Sequence, residues 1–388
     1  MTKKDGTPQI RFKGFTDAWE QRKVNNLFRI TRGHVLAANK IQATKTSVKL
    51  YPVYSSQTKD KGLMGYYSEY IYENAITWTT DGANAGTVNY RPGKFYCTNV
   101  CGVLLSDTIK ANQMLAEALN KVSKNYVSYV GNPKLMNNVM ADIAILIPVQ
   151  EEEREKLSEF FHRLDHLITL HQRKYDKLLN VKKSMLEKMF PKNGSDVPEI
   201  RFKGFTDAWE QRKLGECFRE RSESMPNGEL ISVTINSGIK KFSELGRHDN
   251  SNDDKSKYKK VCIGDIAYNS MRMWQGASGY SHYEGIVSPA YTVLKPNVGI
   301  NSKCLAYQFK LPEMLHTFQT NSQGITSDNW NLKYQILSKI EIAVSKNEEE
   351  QAKIARLFSS LDHLITLHQR KLEKLQNIKK SMLEKMFV

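Results

Sequence analysis

Two stretches of the chain gather side chains able to read the edges of bases. The first runs from Trp78 to Thr87, with Thr79, Thr80 and Asn84 set among Gly82, Ala83, Ala85 and Gly86, and is followed by Tyr90, Arg91 and Lys94. The second runs from Tyr268 to Ser278 and holds Asn269, Ser270, Arg272, Gln275 and Ser278; a later stretch, Gln323 to Trp330, adds Asn329. Asn, Gln and Arg can form paired hydrogen bonds to a base edge, and small neighbours let the backbone come close. The bland alternative for each residue is a polar hairpin turn in solvent. Arg32, Lys59, Lys61, Lys240, Lys241, Lys257, Lys259 and Lys260 suit phosphate contact better than base reading.

Residues for bond-making chemistry do not assemble into a recognisable set. The nearest approach to a phosphate-binding loop, Gly86 to Gly93-Lys94-Phe95, has the wrong spacing and no Ser or Thr after the lysine. Asn132-Pro133-Lys134-Leu135 is only a fragment of an amino-methyltransferase signature, and Asp253-Asp254-Lys255 is a lone Asp-x-Lys. Cys97 and Cys101 have no nearby partners to complete a metal site. The formal charge of +16 and pI near 9.4 favour a polyanionic partner. With no long apolar stretch and a polar start, Met1-Thr2-Lys3-Lys4, the chain is expected to be soluble and cytoplasmic.

The elements that must position these loops are written twice. Residues 8–23 recur at 198–213 with 15 of 16 positions identical, and residues 164–190 recur at 361–387 with 23 of 27 identical. Between these shared segments the two halves look unrelated in sequence, the second stretch (214–360) being seven residues longer than the first (24–163); the recognition middles within them are 24–147 and 214–345. Constant ends with divergent middles imply a shared scaffold and two separate recognition tasks. Both middles alternate Val/Ile/Tyr/Thr runs with Gly, Asn and Asp turns, which predicts α+β domains, with helical pieces at 110–124 and near 302–318. Residues 24–148 hold 13 basic against 7 acidic residues, and 214–347 hold 16 against 13.

Each shared ending predicts a long helix. Apolar and semi-apolar positions step by three or four from Leu157 through His171 to Met189, and from Ile354 through His368 to Met386. The acidic runs Glu151–Glu153 and Glu348–Glu350 precede them and lysines follow, the order that complements a helix dipole. About 40 residues make a rod of roughly 60 Å. Two matching stripes in one chain most simply pack antiparallel; ordinary dimerisation is the alternative.

This pattern resembles the specificity subunit of type I restriction-modification enzymes. The likeness is carried by Pro148, Glu151, Leu157, Phe161, Leu164, Asp165, Ile168, Gln172, Lys182 and Met185-Leu186 through Phe190, and again by Ile354, Phe358, Leu361, Asp362, Ile365, Gln369, Lys379 and Met382-Leu383 through Phe387. The second copy departs from it in having Ala343-Val344-Ser345 where the first has Pro148. The resemblance implies target recognition domains at 1–148 and 193–347, spacer helices at 149–192 and 348–388, and a pseudo-two-fold repeat. It implies that each domain reads one half of an asymmetric bipartite site in double-stranded DNA, with the helices as a ruler for the gap. It also implies two methylation subunits using S-adenosylmethionine and restriction subunits using ATP and Mg, none of these cofactors being bound by this chain. A stand-alone bipartite DNA-binding regulator is the alternative.

Overall fold

The structure, a computed structural model, describes residues 6–56, 59–192, 194–246, 248, 249, 251–327 and 329–387; the start of the chain, the Lys59 side chain and Asp328 lie outside. In chain order the first half holds β1 (Glu20–Lys23), β2 (Phe28–Arg32), β3 (Tyr51–Tyr54), β4 (Leu63–Tyr67), β5 (Tyr72–Thr79), β6 (Val88–Cys97), β7 (Cys101–Ser106), α1 (Gln113–Ser123), α2 (Asn137–Asp142), β8 (Ala144–Ile147) and α3 (Glu151–Lys188). The second holds β9 (Glu210–Lys213), α4 (Leu214–Cys217), β10 (Phe218–Glu220), β11 (Ile231–Thr234), β12 (Gly238–Lys241), β13 (Lys259–Val261), β14 (Ile266–Asn269), β15 (Ser278–Tyr280), β16 (Gly285–Val287), β17 (Tyr291–Pro296), α5 (Ser302–Gln308), α6 (Pro312–Thr320), α7 (Tyr334–Leu337), β18 (Glu341–Val344) and α8 (Glu348–Met386). The predicted helix near 302–318 is thus two short helices, α5 and α6.

By compactness the chain divides into two units, residues 1–172 with 369–388 and residues 173–368, a division that cuts across both long helices. Each long helix contributes its first half to one unit and its second half to the other. The apolar stripe is divided in the same way.

In the first unit, Leu157, Phe161 and Leu164 of α3 share a core with Met386 and Phe387 and with the partly buried Leu375, Ile378, Met382 and Leu383 of α8. Phe161 and Phe387 lie 5.5 Å apart, and Lys379 Nζ donates to Asp165 Oδ1 at 2.7 Å, so the segments run antiparallel. The second unit repeats this with Phe190 stacked on Phe358 at 6.1 Å and Lys182 Nζ donating to Asp362 Oδ1 at 2.5 Å.

The opening segments close each unit in the same way. Arg11 makes a two-pronged pair with Glu153 (2.7 and 2.8 Å), and Arg201 makes one with Glu350 (2.6 and 2.9 Å). Trp19 meets Phe387 edge-on at 5.9 Å, and Trp209 meets Phe190 at 6.0 Å. Ile10 N donates to Lys385 O and Ile200 N to Lys188 O, at 3.0 and 2.9 Å. A two-stranded ladder, β1 with β8 or β9 with β18, completes the frame.

The middles, unlike in sequence, are each built on a sheet of the same strand order. The first has strand order β2-β7-β5-β6-β3-β4 and the second β10-β17-β14-β15, so the first four strands of each correspond one to one. Alternation along the strands supplies both faces. Ile76, Trp78 and Leu104 face the core with the long helices while Ala75 and Val103 face a smaller one. In the second unit Ile266, Tyr268 and Leu294 face the main core, and Ala267 and Val293 the smaller one. Across the ladder Trp78 sits opposite Gly102, where a Cβ would come within 2.1 Å of the indole. The equivalent pair is Tyr268 and Thr292. A smaller ring has made room for a larger neighbour, as a close-packed interior requires.

Candidate nucleic-acid interface

In both units the loop after the central strand is tied to a second loop by one backbone bond and one side-chain-to-backbone bond at equivalent positions. In the first unit Leu135 N donates to Thr80 O at 2.8 Å, and Trp78 Nε1 donates to Leu135 O at 3.1 Å. In the second, Leu332 N donates to Ser270 O at 2.9 Å, and the Tyr268 hydroxyl donates to Leu332 O at 3.0 Å. The second loop is itself pinched shut just before that leucine. Ser128 and Lys134 exchange backbone hydrogen bonds of 2.8 and 2.9 Å, and Gln323 and Asn331 exchange bonds of 3.0 and 2.8 Å. Aligned on these anchors, the additional residues of the second middle fall in the helices and the loop tip.

The first loop of unit one is built from overlapping turns: Ala85 N to Gly82 O, Thr87 N to Asn84 O, and Gly86 N to Thr79 O, all at 2.9 to 3.0 Å. Gly86 has φ +81°, and a Cβ there would meet Val127 at 2.8 Å, so only glycine fits. Asn84 is half-buried and spends its amide on Ser56 O at 3.1 Å.

Several residues expected to read bases are instead internal. Thr79 and Thr80 are buried, the Thr80 hydroxyl lying 2.6 Å from Asp81 and 3.0 Å from Val100 O. Arg91 is 5% exposed: its Nε donates to Thr77 Oγ1 at 3.0 Å, its Nη2 to Lys61 O at 2.7 Å, and its guanidinium lies 3.7 Å from the Tyr54 ring. Burial without a carboxylate partner lowers its pKa. Arg91 therefore braces the turn at Lys61, and Lys61 Nζ in turn donates to Asp165 of α3 at 2.9 Å. This corrects the expectation that Arg91 lies on the reading surface.

Lys94 and Tyr90 belong to other places in the fold. Lys94 pairs with Glu73 at the far end of the β5–β6 ladder, about 20 Å along the strand from the loop. Its ammonium lies 4.6 Å from the Tyr70 ring. Tyr90 lines a cleft of about 610 Å³ with Asn112, Gln113, Glu155 and Glu159.

The second unit keeps more of the expected residues on the surface. Arg272, Gln275 and Asn329 are exposed and Asn269 is half-buried, its Oδ1 accepting from Met271 N at 3.0 Å. Ser270 and Ser278 are buried; Ser270 Oγ lies 3.1 Å from both Ala290 O and Thr292 Oγ1. Trp274 and Trp330, one from each loop, meet edge-on at 5.2 Å. Lys310 holds the base of the first loop, donating to Gly276 O, to Ser278 O at 2.9 Å and to Ile235 O at 3.3 Å. Burial first, and Lys182 second, lower its pKa to about 8.

Sequence reasoning missed the loop at 126–134 in unit one, where Tyr126, Tyr129 and Val130 are exposed and Lys134 Nζ lies 3.8 Å from Asp81 Oδ1. The signal was available in Gly131-Asn132-Pro133. Among the described residues no helix is long and apolar enough to cross a membrane.

Comparison with known proteins agrees with this architecture. The chain is 39% identical over 127 residues to a putative type I specificity subunit N-terminus from Mycoplasma pneumoniae, a match covering 32% of this chain and 66% of that protein. It is 35% identical over 148 residues to a second putative type I specificity subunit from the same organism, covering 37% and 39%. The chain thus matches less than two thirds of the length of either relative. A crystal structure of the S subunit of a type I restriction-modification system from M. genitalium shares the fold over 98% of this chain and 99% of that one, with a TM-score of 0.68 at 14% identity. The family model for the type I restriction modification DNA specificity domain matches residues 16–180 and again 206–377. The chain belongs to the type I restriction-modification DNA specificity family and carries its domain twice.

Proposed function

We propose that this chain is the sequence-recognition subunit of a type I restriction-modification complex, each recognition domain reading one half of an asymmetric bipartite site in double-stranded DNA. One observation carries the reading: the two units keep the same strand order and the same loop anchors, yet present different side chains at the loops. A constant frame with Asn84 in one loop and Arg272 and Gln275 in the other suits two unlike half-sites. The long helices set the gap between the halves and dock two methylation subunits. Docking of a partner present twice gives a reason for the identity of exposed residues such as Lys13, Thr16 and Gln21 against Lys203, Thr206 and Gln211.

On this reading the chain performs no bond chemistry. S-adenosylmethionine is held by the methylation subunits, ATP and Mg by the restriction subunits, and the assembly works in the cytoplasm. Mapping methylated sites on genomic DNA exposed to the whole complex should return one bipartite motif. Inserting about one helical turn in α3 or α8 should change the gap and leave both half-sites unaltered. Changed half-sites with an unchanged gap would defeat the ruler assignment. A stand-alone regulator would purify without methylation subunits.

A further inference from the structure

We propose that the second loop of each unit presses an apolar tip against the base stack of the DNA half-site, Val130 with Tyr129 in the first unit and Ile325 in the second. The inference rests on the DNA-recognition reading above and adds to it a set of contacts that are neither hydrogen-bonded nor charged. Val130 is 92% and Ile325 98% exposed, among the highest values for large apolar residues in the chain, and Tyr129 is 70% exposed. A single exposed apolar residue needs no explanation. Here the same feature stands at the same place in two domains whose sequences have diverged, each time next to a glycine, Gly131 or Gly324.

The tips are held, not dangling. Each is closed by the paired backbone bonds of Ser128 with Lys134 or Gln323 with Asn331, and each is fixed to the first loop through Leu135 or Leu332. Gly324 has φ +147°, and a Cβ there would lie 2.6 Å from Asn329 O, so the turn that raises Ile325 requires glycine. The first loop carries hydrogen-bonding side chains up to each tip: Asp81 meets Lys134 in the first unit, and in the second Trp274, set between the exposed Arg272 and Gln275, meets Trp330. A β-branched side chain raised on a tip that is tied to a polar loop and flanked by aromatic rings fits contact with a thymine methyl or entry between two base pairs, both of which place aliphatic groups against bases.

The test uses the full chain, with and without its methylation subunits, and a pool of randomised DNA duplexes from which bound sequences are selected. Val130→Ser should degrade one half of the enriched motif and Ile325→Ser the other, each lowering affinity for the selected duplex by about tenfold. Binding to unselected duplex should not change. The dependence of affinity on salt should also keep its slope, since no phosphate contact is removed. Val298→Ser is the control: Val298 is equally exposed but follows β17, at the opposite end of the β14–β17 ladder from the loops.

If both variants select the unaltered motif with unaltered affinity, the tip assignment is wrong while the DNA-recognition reading stands. If either variant loses methylation-subunit binding and keeps its motif, the tips are protein-docking elements and the proposal is overturned. If the unmodified chain enriches no motif in either preparation, the recognition reading itself falls and takes this one with it.

Discussion

The two units differ least where they are buried among the helices and most where they face solvent beyond the central strand. Strand for strand, β2-β7-β5-β6 matches β10-β17-β14-β15, and the Arg11–Glu153 pair matches Arg201–Glu350. At the loops the anchoring hydrogen bonds and the exposed apolar tips, Val130 and Ile325, match, while the polar side chains do not. Packing tolerates compensated exchange, as in Trp78 with Gly102 against Tyr268 with Thr292, because volume and burial are what the core constrains. Loop side chains that touch only solvent are free to diverge.

The frames are not identical, and the differences can be measured. Glu350 accepts from Trp209 Nε1 at 3.2 Å and from Ser345 Oγ at 2.5 Å in addition to Arg201. Glu153 holds Arg11, and Trp19 Nε1 finds no partner among the described residues. Neutralising either carboxylate strands a largely buried guanidinium, a loss of about 3–5 kcal/mol. Glu350→Gln should fall at the upper end and Glu153→Gln at the lower, read by urea denaturation of the full chain; equal losses would show that the extra donors contribute nothing.

The half-buried amine of Lys310 gives the second contrast. Its pKa falls from 10.5 to about 8. Between those values the unfolded chain binds the proton and the folded chain does not, so stability rises with pH across the window, and the penalty is present in full below about pH 8. The whole rise amounts to about 3 kcal/mol at most. Lys310→Met should flatten it, and denaturation midpoints at pH 7 and pH 10 would reveal this. A rise that survives the substitution must come from another group.

The smallest effect concerns the anchor to the second loop. Tyr268→Phe removes one hydrogen bond to Leu332 O inside a buried site and should cost about 1–3 kcal/mol. Hydrogen exchange should quicken at residues 321–331 and not at 126–134. Uniform loosening of both loops would break the correspondence drawn between them.

The sequence made the scaffold legible because its signals are local. The three- and four-residue steps of the long stripes, the Glu151–Glu153 and Glu348–Glu350 starts, and the duplicated segments all follow from neighbours in the chain. The stretches 78–87 and 268–278 do turn between strands, over 80–87 and 270–277, since glycine and small polar residues mark turns wherever they fall. Which of their side chains point outward was less legible. Thr79, Arg91 and Ser278 have the composition of contact residues, but they sit on or beside strands whose alternation turns them inward.

By itself, then, the amino-acid sequence determined two long helices, a duplicated frame and two polar loop regions, because period, composition and repetition are written along the chain. Tertiary structure alone decided that each helix is shared between two compact units, that the unlike middles carry one strand order, and that Val130 and Ile325 stand at matching tips. Those outcomes depend on contacts between residues tens to hundreds of positions apart. Local propensity carries no record of such contacts.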